Sequence, residues 1–327
     1  MRDNMKLFIS LVIPVRNESA TIGDLIDSVS AQTYSPDEII FVDGGSVDDT
    51  MAKLYPQSQM DERIRVIEAG EATPGRGRNI GIASARNDWI ALTDAGIRLE
   101  PDWLENLVKV VEKNPEVKFV YGNYEPAVSS FFEGCAALAY LPPKRQTPAG
   151  EMRWPFIASS LMHRDVWRSV GGFPDLRAAE DLIFMKQVQD RGFTIGWAPK
   201  ATVWWKLRPT FSSTFDKFVL YSKHNVLAGW QRYWHYGVAK QYLAGLCLAS
   251  LSVIHSPWWL FVLFAGVAAR AAKSIWQKRE NRGFLWFLNP AQFACVLAIM
   301  TSIDLAMFAG WGQAMWLRLK KGNAQAE

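Results

Sequence analysis

The chain is 327 residues long and 49 % hydrophobic, which excludes a disordered polymer and leaves room for one large domain plus a smaller part. Its formal net charge of +4 is too small to argue for a nucleic-acid partner. Cys135, Cys247 and Cys295 are few and far apart, so no disulfide framework or metal-ligand spacing is present, and a reducing compartment fits better.

The first apolar run, LFISLVI (residues 7–13), is short and β-rich, and Pro14 interrupts it. With no small-residue cleavage pattern, it is expected to be a strand and not a signal peptide. Ile22, Leu25, Ile26 and Val29 then recur at helical spacing. EIIFVD (38–43) predicts a second strand, and SVDDTMAKLY (46–55) a helix whose Ser46 and Asp49 are spaced like a capping box. RIRVIEA (63–69) is a third strand, and GRGRNIGIASA (75–85) leads into a helix. DWIALTD (88–94) is a fourth strand, and PDWLENLVKVVEK (101–113) a helix opened by Pro101. Strands alternating with helices predict a parallel, doubly wound sheet, in which ligands bind at the carboxyl ends of strands. Asp43 and Asp94 fall at two such ends.

Beyond residue 118 the alternation loosens. VKFVYGNYEP (117–126) and FIASSLMH (156–163) read as strands. The Pro-rich, basic stretch YLPPKRQTPAGEMRWP (140–155) between them is either a plain connector or a mobile loop over an acceptor site. A helix, AEDLIFMKQVQDRG, ends at Gly192, and two short strands follow around Trp197 and Trp204.

The glycines of GRGRNIG do not make a dinucleotide fingerprint. The third glycine would have to stand at Ile80, and the motif follows the third strand instead of the first. A different resemblance covers about two hundred residues. Pro14, Asn17 and Glu18, then Val42-Asp43-Gly44-Gly45-Ser46, then Arg78, Asn79 and Gly81, then Gly171-Gly172-Phe173 with Glu180-Asp181, resemble in order four blocks of the family 2 inverting glycosyltransferases. That resemblance implies the GT-A fold, a Rossmann-like and mostly parallel α/β sheet, and transfer of a sugar from a nucleoside diphosphate donor. It also implies roles. Asp43, with Gly45 and Ser46, would hold the nucleotide base, and the turn from Pro14 through Arg16 and Asn17 to Glu18 would hold base and ribose. Arg78 and Asn79 would lie on the donor side. Asp94 takes the first place of the family's Asp-x-Asp motif and would face the ribose and a diphosphate-bound divalent cation, Mn2+ or Mg2+. Asp181 would be the general base on the acceptor hydroxyl, with Glu180 beside it as a helix cap or an acceptor contact.

Each role has a plainer rival. Asp43 could simply close a strand before a Gly-rich turn. Asp181 could be a first-turn acid favoured by the helix dipole. Arg78 could be a solvated helix residue. The family's second aspartate is Gly96 here. A hard cation can bind through one carboxylate plus phosphate oxygens and water, so the loss weakens the metal site without removing it. Otherwise Arg76, Arg78, Lys206, Arg208 or His224 would offset the leaving diphosphate's charge, with Arg208 the donor contact in WWKLRPT (204–210).

Residues 241–269 contain no formal charge, and a second such run covers 283–303, followed by Asp304 and more apolar residues to 317. A bilayer span needs about twenty residues. Trp230, Tyr233, Trp234 and Tyr236 precede the first run like an interfacial belt. The expectation is a GT-A domain over 1–232 and a membrane-embedded helical region over 233–327, in an inner cell membrane with the catalytic part facing the cytoplasm. The basic connector RAAKSIWQKRENR (270–282) conflicts with a first run that crosses once, unless that run, broken near residues 255–257, dips in and returns, or the positive-inside rule is violated here. Partners would be the nucleotide-sugar, a lipid-linked or envelope-glycan acceptor, and the bilayer. The rival readings are a non-catalytic membrane scaffold, resting on Gly96, and a sugar nucleotidyltransferase, which would need a Gly-rich, Lys-bearing loop where PVRNES stands.

Overall fold

The computed structural model describes residues 6–148, 150–279 and 282–323. In chain order the elements are β1 (Ile9–Val15), α1 (Ile22–Ser30), β2 (Glu38–Asp43), α2 (Thr50–Met60), β3 (Ile64–Glu68), α3 (Pro74–Ser84), β4 (Trp89–Leu92), β5 (Ile97–Leu99) and α4 (Trp103–Lys113). Next come β6 (Phe119–Ala127), α5 (Phe131–Tyr140), β7 (Arg145–Thr147), β8 (Gly150–Met152), β9 (Ser160–His163), α6 (Arg164–Val170), α7 (Glu180–Asp190) and β10 (Ile195–Lys206). The remainder is helical: α8 (Phe211–Leu227), a 3-10 turn (Gln231–Tyr233), α9 (His235–Ile254), α10 (Trp258–Gln277), α11 (Phe284–Phe287) and α12 (Pro290–Asn323). Two compact units result, one of Met1–Ala127 with Lys144–Lys206, the other of Val128–Pro143 with Leu207–Glu327.

The first unit is built on an eight-stranded sheet in the order β3-β2-β1-β4-β9-β6-β10-β5. β1 and β2 are almost wholly buried, as continuous apolar strands covered on both faces must be. β1 pairs in parallel with β2 on one side and β4 on the other, and β3 and the β6–β10 pair are also parallel. β9 runs antiparallel to both its neighbours, and β5 antiparallel to β10. α1 buries Ile22, Leu25, Ile26 and Val29, the stripe that its spacing predicts. α3 lies hard on β1: a Cβ at Gly81 would sit 2.3 Å from Val12 Cγ1. Gly77 and Gly81 of GRGRNIG thus bring helix and sheet together, while Gly75 lets Pro174 approach.

Several local expectations change. The capping box at Ser46 and Asp49 does not form. α2 starts at Thr50 with no side-chain cap from Asp49, because the Ser46 hydroxyl is turned to Asp43 instead. The two strands expected around Trp197 and Trp204 are one strand, β10, whose register against β6 shifts between Ala198 and Thr202. Within the 140–155 stretch β7 and β8 pair antiparallel, with Arg145 stacked 3.9 Å over the Trp154 ring and Arg153 Nη2 2.7 Å from Glu125 Oε2.

The second unit draws its boundary earlier than residue 232. α5 and α8 belong to it because they pack on the C-terminal helices. Ser222 Oγ donates to Met307 O at 2.6 Å and meets His235 Nε2 at 2.8 Å, while Ser274 Oγ and Lys278 Nζ each donate to Leu138 O at 2.6 Å. A Cβ at Gly310 would lie 2.4 Å from Val219 O, so α8 and α12 meet backbone to backbone. The first apolar run is two helices, α9 and α10, since Pro257 lacks the N–H to continue one. Three helices here are long and apolar enough to cross a membrane: His235–Ile254, Trp258–Gln277 and Pro290–Lys320. Asp304 is buried and takes a bidentate ion pair from Arg270, with Tyr242 donating a third bond at 3.3 Å.

Candidate active site

Because β2, β1 and β4 are parallel neighbours, the residues just beyond Asp43, Val15 and Leu92 emerge along one edge of the sheet. Asp43 closes β2, and its carboxylate folds the following turn. Oδ2 accepts from the Gly45 and Ser46 amides at 3.1 Å each, and Oδ1 accepts from the Ser46 hydroxyl at 2.5 Å. Ser46 Oγ accepts from the Asn17 amide, and Asn17 Oδ1 from the Val47 amide, both at 2.9 Å. The two turns are therefore stitched together. Glu18 donates its amide to Thr50 Oγ1 at 2.8 Å, and its Oε2 accepts from the Thr21 hydroxyl at 2.6 Å. Pro14 sits in β1 opposite Val42, and the Arg16 guanidinium stands 4.0 Å from Glu71 at the rim.

α3 delivers Arg78 beneath this edge. Nη2 lies 2.7 Å from Asp94 Oδ1 and Nη1 2.7 Å from Glu180 Oε1, with side-chain exposures of 4 % for Arg78, 7 % for Glu180 and 39 % for Asp94. The guanidinium also lies over the Phe173 ring, which stacks on Phe184 at 3.9 Å. Burial opposes its charge, but the two carboxylates outweigh burial and raise its proton affinity. The reading of Arg78 as a solvated helix residue does not describe it. Its charge is held by side chains, so it is not an open cation for a diphosphate. Asn79 is likewise engaged: Oδ1 accepts from Trp167 Nε1 and the Phe173 amide at 2.8 Å, and Nδ2 donates to Phe173 O at 2.7 Å. It pins the Gly171–Phe173 turn.

That turn leads to α7. Glu180 and Asp181 form its first turn, and the Leu182 amide donates to Asp181 Oδ1 at 2.8 Å. Burial pushes the Asp181 carboxyl from its ordinary 3.8 up to about 6, Glu180 and Asp94 push the same way, and Arg78 and the Leu182 amide oppose them. The residue before the pair, Ala179, has φ 69°. Among the described residues the only other non-glycine with positive φ is Asn17 (55°), so both left-handed positions fall in the expected site blocks. No sequence signal marks Ala179, because alanine is not a residue that favours that region. Ala179→Gly is expected to raise stability by about 1 kcal/mol while lowering turnover, by releasing the backbone that aims Asp181. Thermal melting and steady-state kinetics check this, and a lower Tm with unchanged turnover would refute it.

Gly96 does not have a left-handed backbone, and a Cβ there would meet only Glu18 Oε2, at 3.8 Å. Space for a carboxylate exists, and Glu18 is the acid that borders it. Among the described residues no cluster of three or more His, Cys, Asp or Glu is placed to hold a metal ion. Asp94 keeps one oxygen free of Arg78 and is partly exposed, which fits a cation completed by donor oxygens and water. Arg208 lies in the second unit, near Tyr140.

The family model described as glycosyl transferase family group 2 matches residues 89–303, and that of glycosyl transferase family 2 matches residues 10–147. The glycosyltransferase GlyA of Streptococcus pneumoniae is 32 % identical over 117 residues, covering 36 % of this chain and 16 % of that protein. The poly-beta-1,6-N-acetyl-D-glucosamine synthase of Staphylococcus aureus is 25 % identical over 227 residues, covering 67 % of this chain and 55 % of that protein. The chain thus spans only part of the length of these relatives. The mannosyltransferase PcManGT from Pyrobaculum calidifontis, solved in complex with GDP-Man and Mn2+, superimposes with a TM-score of 0.56 at 17 % identity, covering 96 % of this chain and 88 % of that one. This likeness shows the fold to be GT-A, as the block order implies.

Proposed function

The chain belongs to glycosyl transferase family group 2, and from that premise we propose that it is a membrane-anchored, inverting enzyme that moves a sugar from a nucleoside diphosphate donor to a lipid-linked or cell-envelope glycan acceptor. The observation that carries this reading is the single buried guanidinium of Arg78 shared by Asp94 and Glu180, with Asp181 next along α7. It joins the edge suited to a nucleotide to a carboxylate whose proton affinity suits a base.

Asp181 takes the proton of the acceptor hydroxyl as that oxygen attacks the anomeric carbon from the face opposite the diphosphate. The new C–O bond forms, the old one breaks, and the diphosphate leaves with the electron pair. A carboxyl shifted to about 6 remains ionised at neutral pH yet is a stronger base than an ordinary aspartate. Glu180 and Arg78 fix the start of α7. Asp43, Gly45, Ser46 and the Pro14–Glu18 turn hold the base and ribose, on two turns that Asp43 and Asn17 lock together. Asp94 would be the protein ligand of a divalent cation, which when bound would supply positive charge beside the leaving diphosphate. Arg208 is a candidate second cation. PcManGT, with GDP-Man and Mn2+ bound, and the glucosamine-polymer synthase support a nucleotide donor and an envelope glycan. The enzyme would sit in an inner cell membrane with its catalytic unit on the cytoplasmic side, where nucleotide-sugars are made. The scaffold reading rested on Gly96 alone, and a perturbed carboxylate beside a strained backbone favours catalysis.

A donor screen by nucleoside diphosphate release, with the membrane fraction as acceptor, tests the reading, and proton NMR of the product gives its anomeric configuration. Release with no donor, or retention of configuration, would overturn it. The cation assignment makes its own forecast. Mn2+ is expected to bind weakly alone and far better with nucleoside diphosphate. Gly96→Asp, which the backbone and the free space allow, should tighten Mn2+ binding by about 10-fold or more by adding a second carboxylate. Calorimetry without donor checks this, and unchanged affinity in the variant would detach Asp94 from the metal.

A further inference from the structure

Residues 239–270 include no buried residue, yet 241–269 carry no formal charge. In a chain surrounded by water that would leave Leu243, Leu246, Val253, Ile254, Phe261 and Phe264 uncovered on α9 and α10 together. The charges stand at one end of the hairpin. Lys240 precedes the run, and Arg270, Lys273, Lys278, Arg279 and Arg282 follow it. The two arms are antiparallel neighbours: a Cβ at Gly245 would sit 3.3 Å from Leu263 Cδ1, and the turn between them is residues 255–257. At 1.5 Å per residue, the charge-free arms reach about 21 Å and about 18 Å. A hydrocarbon core is about 30 Å thick.

α12 differs from this hairpin. Val296, Ile299, Ile303, Ala306, Met307, Gly310 and Ala314 form a buried stripe along it. Its C-terminal half lies backbone to backbone on α8 and is tied there by Ser222 to Met307 O and by Arg318 to Val226 O. If the C-terminal half of α12 lay within a bilayer, α8 would carry Asp216, Lys217, Lys223 and His224 into hydrocarbon with it, which charged side chains strongly oppose.

We propose that the α9–α10 hairpin alone enters the bilayer, that it enters and leaves through one face and stops short of the far headgroups, and that α12 does not cross. This rests on the membrane reading given above. The occupant of the exposed apolar face is the hydrocarbon of an anionic bilayer. The arms match it in polarity, and the cationic base matches its headgroups. Residues 282–289 and the end of α12 then lie on the same side as the first unit. The conflict between the basic connector and a single crossing disappears, because the first run is a hairpin.

The test uses the full chain with Cys135, Cys247 and Cys295 replaced by alanine, reconstituted in vesicles of three parts phosphatidylcholine to one part phosphatidylglycerol. Single cysteines are placed at Glu112 (first unit), Gly283 (connector), Lys320 (end of α12) and Ser256 (hairpin turn). With a membrane-impermeant maleimide added outside, E112C, G283C and K320C should label to the same fraction, and S256C should stay unlabelled until detergent is added. A fluorophore on V253C should be quenched by doxyl-labelled lipid. If G283C and K320C label from opposite sides, α12 crosses and the proposal fails. If S256C labels only from the side opposite E112C, the hairpin spans and its depth is wrong. Release of the protein from the vesicles by alkaline carbonate, with no lipid quenching, would instead remove the membrane reading itself.

Discussion

Asp181→Asn is expected to reduce transfer by about 100- to 10,000-fold while leaving nucleoside diphosphate affinity near that of the unmodified chain, because only the proton acceptor is lost. The amide oxygen still accepts from Leu182, so α7 keeps its start. The unmodified enzyme should lose kcat/KM as pH falls through about 6, the value to which burial pushes this carboxyl. Stability follows with the opposite sign. A carboxyl whose folded value is raised above 3.8 binds its proton more tightly in the native state, so its contribution is present below that pH and is lost as pH rises through about 6. The neutral variant should therefore melt higher than the parent at pH 7 to 8, and the difference should vanish near pH 4. More than a tenth of the activity remaining would move the base elsewhere, whereas a drop in Tm at pH 8 would contradict the buried charge.

Arg78→Ala should be the most destabilising single change in the first unit. It leaves the Glu180 carboxylate, 7 % exposed, without its counter-charge, and breaking a buried pair from one side costs about 3–5 kcal/mol. Arg78→Lys should recover only part of this, since one ammonium cannot make the two directed contacts of a guanidinium. Removing the orphan as well, in Arg78→Ala with Glu180→Ala, should be less harmful than Arg78→Ala alone. Urea unfolding in detergent measures all three. A loss under about 1 kcal/mol for Arg78→Ala would mean that water already reaches the pair.

What the chain discloses in advance follows the reach of the interactions. β1 to β4, α1 and α4 are legible because each is a local apolar run or a local helical stripe, whereas α2 and α3 carry no such stripe. β5 is three residues long and exists only as the partner of β10, so no local pattern announces it. α5, FFEGCAALAY, shows no single apolar stripe and makes sense only against α10 and α12. Asp43 and Asp94 can be placed at strand ends because strand order is local. The partners of Arg78 cannot, since they lie 16 and 102 residues away. A guanidinium on a Gly-rich helix looks like a solvent group until the Gly171–Phe173 turn is folded over it. The break at residues 255–257 is visible in Pro257, but that it turns one run into a hairpin depends on contacts such as Gly245 with Leu263.

The shared guanidinium also makes the two ends of the site thermodynamically reciprocal. Asp94 raises the proton affinity of Asp181 and Arg78 lowers it, so positive charge arriving at Asp94 acts in the direction of proton release from Asp181. Linkage requires the converse: once Asp181 is ionised, the donor edge holds a cation more firmly by the same factor. On the proposed roles, donor loading and ionisation of the base would favour one another. The coupling runs through one side chain, Arg78, which pairs with Asp94 and Glu180 at once.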